Sequence, residues 1–323
     1  MSQLKFKLSL DAKRSDIKIG YQQKTILVGS CFSENMTAKF VAHLFDVFEN
    51  AHGVLFNPVS VANSLQDLIE SKVYTAQDLF CHNDIWNSWN HHSRFSGITP
   101  KDALLKINES IQKAHQFLKH ANHIIITLGS AWLYHVTTEA PLGQGQVVAN
   151  NHKGPAIWFN KELMGPLDVK LLLEKMCSSL HAFNPDLHII FTISPVRHLR
   201  EGLIENNRSK AALIYAVHEL VHQVKNIEYF PAYEYVIDDL RDYRFYAEDM
   251  LHPSKVAIDY IWKRFSETTI TKESHLIMDE IEKIQKGLNH RPFNPNSCSH
   301  QQFLSKLHEN IAVIQKQFPL IKF

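Results

Sequence analysis

Long apolar runs, an excess of one charge and closely spaced cysteines are all missing from this sequence. No apolar run approaches the ~20 residues that a membrane-spanning helix needs. The formal net charge is only +1, which gives no electrostatic basis for binding nucleic acid or an anionic membrane surface. The four cysteines are far apart and form no Cys-x-x-Cys pair. A disulfide framework is therefore not expected, and cysteine usage favours a reducing compartment.

The amino-terminal stretch "MSQLKFKLSLDAKRSD" lacks the continuous apolar core of a secretion signal, because charges interrupt it throughout. We therefore expect a cytoplasmic protein. Of the 323 residues, 45% are hydrophobic and 21% charged, which is enough apolar material for a sizeable globular core.

What the chain does contain is an alternation of short apolar runs with amphipathic segments. The runs at 24–29, 123–129 and 187–196 predict strands, and 228–238 predicts a further irregular strand. Helices are predicted at 33–45 with Ser33 as N-cap, 57–71, 166–183, 209–224 and 255–265. Strands that are apolar throughout are typical of parallel sheets buried on both faces. The pattern predicts an α/β fold with a doubly wound sheet, which binds ligands beyond the carboxyl ends of its strands.

The character of the chain changes after residue 270. Two polar helical segments follow, joined by "RPFNPNSCSH". We therefore predict an α/β domain at 1–270 and a helical extension at 271–323. The extension could pack on the core, form a homodimer or cover the site.

The stretch "KTILVGSCFSENM" (24–36) contains two possible nucleophiles, Ser30 and Cys31, where a strand turns into a helix. A purely structural interpretation is also open. Gly29 would ease a tight turn, Ser33 would cap the helix, and Cys31 would be a small buried apolar residue.

A second candidate is "AEDMLHPS" (247–254), in which Asp249 and His252 are three residues apart. This spacing lets the carboxylate accept a hydrogen bond from the histidine Nδ1. The bond would fix the tautomer and leave Nε2 to take a proton from a nucleophile. The alternative is that Asp249 caps the following helix and His252 is incidental.

A nucleophile after the first strand and Asp-x-x-His before a late helix is the order found in GDSL/SGNH hydrolases. The sequence resembles the GSCFA family, which is distantly similar to these hydrolases, in several motifs that occur in order. They are "GSCFSEN" (29–35), "HGVLFNP" (52–58), "HSRFS" (92–96), "TLGSAWLY" (127–134), "SPVRHLREGLIENNRSKA" (194–211) and "YRFYAEDMLHPS" (243–254). The resemblance spans about residues 20–265. It implies a three-layer α/β/α, flavodoxin-like fold of the SGNH hydrolase type.

The resemblance also implies a register for the nucleophile. Gly29, Ser30 and Cys31 stand where GDSL enzymes have Gly-Asp-Ser, so Cys31 takes the nucleophile position and Ser30 replaces the aspartate. A related plant acyl-esterase group, with Gly-Asp-Ser-Leu-Ser-Arg-Asn at this point, supports the same register. We expect the helix amino terminus and a nearby imidazole to lower the pKa of Cys31. Its thiolate would then attack an acyl carbonyl, with His252 protonating the leaving group.

These inferences predict an acyl-ester hydrolase or acyltransferase with a Cys31–His252–Asp249 triad. Its substrate would be a small acylated molecule, such as an acylated carbohydrate or peptide. The alternative is a catalytically inert scaffold of the same fold that binds a small acylated or glycan ligand.

The oxyanion hole is where the sequence departs from the hydrolase pattern. Those enzymes use the N–H of the nucleophile, a glycine N–H and an asparagine from Gly-x-Asn-Asp. Gly53 is expected to supply the second donor. The third block begins at Gly129 and reads Gly-Ser-Ala-Trp, without the asparagine. The candidates to replace it are Asn57, Ser130 and His92.

Several other polar residues follow the third strand. Arg197 and Arg200 could hold a carboxylate or phosphate of the substrate, or form ion pairs with "DDLRDYR" (238–244). His198 is a rival base without a carboxylate at a suggestive spacing. No histidine spacing typical of a metal site occurs, so neither a metal nor a cofactor is expected. The aromatic stretch "WNSWNHHSRF" (86–95) predicts a wall or lid over the pocket.

Overall fold

The computed structural model describes residues 8, 10, 14–16, 18–319 and 321–323. The strands are β1 (Thr25–Gly29), β2 (Val47–Glu49), β3 (Phe80–His82), β4 (Ile85–Asn87), β5 (His123–Leu128), β6 (Trp132–Val136), β7 (Phe159–Leu163), β8 (His188–Ile193) and β9 (Ile227–Phe230). The α-helices are α1 (Cys31–Ala42), α2 (Pro58–Glu70), α3 (Pro100–Lys119), α4 (Pro166–Phe183), α5 (Leu203–Gln223), α6 (Ala232–Glu234), α7 (Lys255–Thr269), α8 (Lys272–Leu288) and α9 (Cys298–Gln317).

The centre of the fold is a five-stranded parallel sheet in the order β2-β1-β5-β8-β9. Counting these strands along the chain gives the order 2-1-3-4-5, which is the flavodoxin-like arrangement. The hairpins β3–β4 and β6–β7 lie outside this sheet. The predicted doubly wound α/β fold is confirmed. Its topological switch point lies between β1 and β5, where Gly29 pairs with Thr127.

Alternating residues of the central strands face two different helical layers. On β1, Ile26 and Val28 belong to one buried cluster with apolar residues of α2, α3, α4 and α5. The residue between them, Leu27, belongs to a second cluster with residues of α1, α7, α8 and α9. Because side chains of a strand alternate between its faces, the sheet lies between two helical layers. This confirms the three-layer α/β/α architecture.

Some element boundaries differ from the predictions. Helix α1 begins at Cys31 and its N-cap is Ser30. Ser33 was the wrong N-cap, and its buried hydroxyl donates to Thr127 Oγ1 inside the fold. Helix α5 begins at Leu203, six residues earlier than predicted. The predicted strand at 228–238 ends at Phe230, because Pro231 cannot donate a ladder hydrogen bond and a helical segment follows. Helix α3 and both hairpins have no counterpart among the predicted elements.

The carboxyl-terminal helices pack on the core. Residues of α8 and α9, including Met278 and Ile314, share a buried cluster with Phe40 of α1. The contact lies at the carboxyl-terminal end of α1, where His43 Nε2 is 3.2 Å from a Glu282 carboxylate oxygen. Helix α1 has 12 residues and is about 18 Å long, so this contact is distant from Cys31. A homodimer through these helices stays a prediction. None of the described helices combines the length and apolarity that crossing a bilayer requires.

Candidate active site

Cys31 is the first residue of α1 and follows β1 at the switch point of the sheet. The turn before it requires a glycine. Gly29 has φ +136°, and a Cβ there would lie 2.1 Å from the Thr127 carbonyl oxygen. The Gly29 N–H donates to Asn50 Oδ1 at 2.8 Å. These contacts hold Cys31 at the carboxyl edge of the sheet, where ligands bind in this class of fold.

The two possible nucleophiles differ in their surroundings. Ser30 is fully buried, and its Oγ accepts a hydrogen bond from the Phe32 N–H at 3.3 Å. It therefore acts as the helix cap. The Cys31 side chain is half-buried, so the thiol is more accessible than the hydroxyl.

The surroundings of Cys31 raise its pKa. Burial is the largest cause, and the negative charge of Glu34 adds to it. The backbone N–H groups of Cys31 and Phe32 and the charge of Lys210 act in the opposite direction but do not outweigh burial. The expected low pKa is therefore wrong for this conformation, because desolvation exceeds the favourable field of the helix amino terminus.

Lys210 lies beneath this edge of the sheet and is only 1% exposed. Its Nζ donates to the carbonyl oxygens of Gly129 (2.6 Å) and Ser194 (2.7 Å), which follow β5 and β8. Burial lowers the pKa of Lys210 to about 7, although the charge of Cys31 acts to raise it. Sequence reasoning missed this residue. A signal was present, because Lys210 lies on the same helical stripe as the buried Leu213 and Val217.

Asp249 and His252 form the contact that their spacing predicted. His252 Nδ1 lies 2.6 Å from Asp249 Oδ2, and Asp249 Oδ1 accepts from the backbone N–H groups of Leu251 (2.8 Å) and His252 (3.0 Å). The backbone and then the ring of His252 lower the pKa of Asp249 to about 2. The N-cap of α7 is Ser254, so Asp249 is not a helix cap. Asp249 and His252 are 46% and 47% exposed.

The Asp249–His252 pair lies at the same edge of the sheet as Cys31. The backbone N–H of Arg197, which follows β8, donates to the Leu251 carbonyl oxygen at 3.1 Å. Helix α7 then runs to the opposite edge, where Ile270 bridges to Ile19, ahead of β1. The electrostatic interactions also indicate that these groups lie at one edge of the sheet. The charge of Lys210 acts on both Cys31 and His198, and the charge of His252 acts on His198.

Most of the expected oxyanion donors already have partners. The Gly53 N–H donates to the Asn50 carbonyl at 2.7 Å. Asn57 Oδ1 caps α2 by accepting from Ser60 N–H, and its Nδ2 donates to the Val148 carbonyl. An oxyanion role for either residue would require these bonds to break.

The same holds around Gly129. The N–H groups of Gly129 and Ser130 both donate to the Phe56 carbonyl. Ser130 Oγ accepts from the Trp132 N–H and contacts the Ser209 hydroxyl at 3.2 Å.

His92 is more available than these residues. Its Nδ1 accepts from the Arg94 N–H at 3.3 Å, while its Nε2 has no partner within the described part of the chain. Burial and the charge of Arg94 lower the pKa of His92. Arg94 also donates to Glu34 (3.0 Å) and to the Asn50 carbonyl (2.6 Å). It therefore ties the His92 loop to the first turn of α1, a role that sequence reasoning did not assign.

A pocket of about 280 Å³ lies beside Asn57 and Ser130. It is lined by aromatic, amide and charged side chains together with a small apolar wall: Phe56, Asn57, Ser130, Trp132, Tyr134, Val148, Ala149, Asn150, Asn151, His198, Arg200 and Glu201. Of the predicted site residues, the pocket brings together Asn57, Ser130, His198 and Arg200. Cys31, His92 and His252 do not line it.

His198 stands between the pocket and the rest of the site. Its ring packs edge-on against Phe56 with centroids 5.0 Å apart. Its Nε2 lies 3.0 Å from the place that a Cβ on Gly129 would occupy, and it has no hydrogen-bond partner. Burial lowers the pKa of His198 to about 3. The ring is therefore neutral and a weak base near neutral pH, which disfavours His198 as the general base.

The two arginines after β8 have different surroundings. Arg197 packs over the rings of Tyr246 (4.0 Å) and Tyr243 (5.0 Å) and has no ion pair with a described carboxylate. The alternative of an ion-pair network with 238–244 is therefore not observed. Arg200 lines the pocket instead.

The aromatic stretch at 86–95 belongs to the core, contrary to the prediction of a lid. Trp89 is buried and stacks on Phe80 with ring centroids 3.7 Å apart, and Phe95 is also buried. The aromatic wall of the pocket comes from Phe56, Trp132 and Tyr134. Within the described ranges, no three histidine, cysteine or carboxylate side chains are grouped as metal ligands would be.

Comparison with solved structures finds esterases at low sequence identity. An acetyl xylan esterase, Est2A, from the rumen bacterium Butyrivibrio proteoclasticus is 9% identical, with a TM-score of 0.41 over 77% of this chain and 64% of that chain. A family 3 carbohydrate esterase from Clostridium thermocellum is 8% identical, with a TM-score of 0.37 over 81% of this chain and 98% of that chain. No curated protein sequence matches this chain significantly.

Two family profiles match the sequence. The profile described as GSCFA domain protein, C-terminal domain, matches residues 281–323, which cover the last eight residues of α8, all of α9 and the segment between the two helices. The profile of the GSCFA family matches residues 24–265, from the start of the central sheet to α7. This range contains every residue of the candidate site described above, and the chain therefore belongs to the GSCFA family.

Proposed function

We propose that this chain is an acyl-ester hydrolase or acyltransferase in which Cys31 is the nucleophile, His252 the general base and Asp249 the residue that orients it. The contact between Asp249 and His252 supports this most. It fixes Nδ1 and leaves Nε2 without a partner among the described residues. Cys31 and this pair lie at the same edge of the sheet.

The raised pKa of Cys31 makes the base essential, because the thiol is protonated at neutral pH. His252 Nε2 would take the thiol proton as Sγ attacks the acyl carbonyl carbon. The S–C bond forms, the ester C–O bond breaks, and the imidazolium returns the proton to the leaving alkoxide. Water or a second hydroxyl group then attacks the thioester while His252 takes its proton. The C–S bond breaks and Cys31 regains a proton.

The oxyanion would be stabilised by the Cys31 N–H together with ring nitrogens that have no partner. His92 and His198 each keep one such nitrogen among the described residues. Either could replace the missing asparagine as a donor. The replacement matters for turnover, because one oxyanion donor changes the rate by ~10²–10³-fold.

The test compares Cys31→Ala, Cys31→Ser and Ser30→Ala on short-chain acyl esters of carbohydrates and peptides. We expect Cys31→Ala to abolish turnover and Ser30→Ala to keep it, with a stability loss of about 1 kcal/mol from the lost cap. Cys81→Ala, at an exposed cysteine, is the matched control. Turnover that survives Cys31→Ala but not Ser30→Ala would reverse the assignment of the nucleophile.

The raised pKa of Cys31 also favours a second candidate, an inert scaffold that binds a small acylated or glycan ligand. If the protein is an inert scaffold, Cys31 should react with iodoacetamide no faster than the exposed Cys81 and Cys298. Rapid, pH-dependent alkylation that selects Cys31 over the other cysteines would argue against it and for the enzyme.

A further inference from the structure

We propose that the pocket lined by Trp132, Tyr134 and Arg200 is a subsite for a carboxylate-bearing ring compound, such as a sugar acid, with Arg200 as the anion-binding group. This inference rests on the proposed function, because it assigns the non-acyl part of the substrate to this pocket. The subsite adjoins the reaction centre through His198, which lines the pocket and interacts electrostatically with His252.

The shape of the pocket fits one ring-sized group. Its volume of about 280 Å³ is at the small end of ligand pockets, which are typically ~300–1,000 Å³. Phe56, Trp132 and Tyr134 provide flat aromatic walls, and Asn150 and Asn151 add side-chain amides. Flat apolar surfaces beside a few polar groups are suited to a ring with polar substituents.

The charges in the pocket favour an anion. Glu201 is neutralised within the protein, because Lys161 Nζ donates to its carboxylate at 2.9 Å and Tyr134 Oη donates at 2.6 Å. Arg200, in contrast, has no carboxylate within ion-pair distance among the described residues. The Glu201 carboxylate interacts electrostatically with both Lys161 and Arg200, so two positive charges share one negative charge and a net positive charge is left at the pocket.

Arg200 is also held in position for binding. Its guanidinium lies over the Tyr134 ring, 5.3 Å from the centroid. The Asn151 amide oxygen accepts from Nη1 at 2.8 Å in the amide orientation that satisfies both groups. A planar guanidinium held in this way matches the two oxygens of a carboxylate. Arg197 cannot take this role, because it does not line this pocket and packs instead over Tyr243 and Tyr246.

Two further groups in the pocket wall lack partners. Trp132 Nε1 and His198 Nε2 are both buried without a hydrogen bond. Buried polar groups are nearly always satisfied in folded proteins, so these two atoms favour a ligand that brings acceptor oxygens. Hydroxyl and carboxylate oxygens of a sugar acid supply them after a small movement of the side chains.

The experiment measures equilibrium binding by isothermal titration calorimetry in a Cys31→Ala background. The probes are D-glucuronate, D-glucose and glucose 6-phosphate, which share a ring and differ in charge and anion geometry. We expect glucuronate to bind at least tenfold more tightly than glucose. Adding Arg200→Gln should weaken glucuronate binding at least tenfold and leave glucose binding unchanged.

Arg208→Gln is the matched control, because Arg208 is an exposed arginine paired with Glu205 on α5. Trp132→Phe keeps the aromatic wall and removes the N–H, and we expect it to weaken glucuronate binding several-fold. Equal affinity for glucose and glucuronate, tightest binding of the phosphate, or equal effects of Arg200→Gln and Arg208→Gln would each overturn the proposal. The result is separable from the proposed function, because binding is measured without the nucleophile and turnover is measured with it.

Discussion

Two regions of the candidate site have opposite character. The exposed pair, Asp249 and His252, is three residues apart and almost half exposed. The buried floor is Lys210 with the carbonyl groups of Gly129 and Ser194, and the Lys210–Gly129 contact joins residues 81 positions apart.

Different physical causes set the protonation of these two regions. Hydrogen bonds lower the pKa of Asp249 to about 2, whereas burial lowers the pKa of Lys210 to about 7. Local contacts therefore set the protonation of the exposed pair, whereas packing sets that of the buried floor. Substitutions in the exposed pair should therefore change the activity, and substitutions in the buried floor should change the free energy of unfolding.

The largest effect is expected from His252→Asn. Loss of the general base should lower kcat/KM for ester turnover by about 10²–10⁴-fold. The free energy of unfolding should change by less than about 0.5 kcal/mol, because the side chain is exposed and outside the core. Steady-state kinetics and urea denaturation check the two halves of this prediction, with His222→Asn, at an exposed histidine of α5, as control. A large loss of stability without a loss of activity would show that His252 acts in folding and not in catalysis, which would contradict the prediction.

The next effect is on stability, from Lys210→Met. Two buried carbonyl groups would lose their donor, at about 1–3 kcal/mol for each unsatisfied group. Relief of a buried charge offsets part of this loss. We expect the free energy of unfolding to fall by roughly 2–4 kcal/mol, measured by urea denaturation. Lys175→Met, at an exposed lysine of α4, should be close to neutral. A neutral result at Lys210 as well would mean that the buried floor does not hold the strand ends.

A second effect of Lys210 should depend on pH. Its pKa falls from 10.5 to about 7 on folding. Between these values the unfolded chain binds more protons than the folded chain, so stability rises with pH. Below about pH 7 both states are protonated and the contribution is constant.

The measurement compares wild type with Lys210→Met. The difference in their free energies of unfolding should shift in favour of wild type between pH 7 and 10. A difference that stays flat across this range would contradict the assigned direction of the pKa.

The smallest effect is expected in the first turn of α1, from Glu34→Gln. Removing this negative charge should lower the pKa of Cys31, because Glu34 is the second largest cause that raises it. Iodoacetamide should then alkylate Cys31 a few-fold faster at neutral pH, which peptide mass spectrometry can follow. Glu109→Gln, at an exposed carboxylate paired with Lys113, is the control. Equal rates in the two variants would leave burial as the sole cause.

Much of the fold could be predicted from local patterns. Helix α4 begins at Pro166 and ends at Phe183, as its amphipathic pattern predicted. The N-cap of α1 could not be chosen in this way, because Ser30 and Ser33 both suit a cap. The choice followed from where β1 ends, and this depends on pairing with β5.

The candidate site divides along the same line. Spacing was sufficient for Asp249 and His252, since three residues of backbone bring the two side chains together. The contacts of the buried lysine could not be predicted in this way. Lys210 binds carbonyl groups that follow two distant strands, and the helical pattern around Lys210 does not indicate which strands these are.

By itself, the sequence determined the alternation of strands and helices, the turn at Gly29 and the Asp249–His252 contact. Each depends on geometry within a few residues of the chain. Only the tertiary structure decided that Arg200 rather than Arg197 lines the pocket, and that burial raises the pKa of Cys31. These outcomes depend on which distant surfaces remove a side chain from water, and that is fixed only when the whole chain has packed.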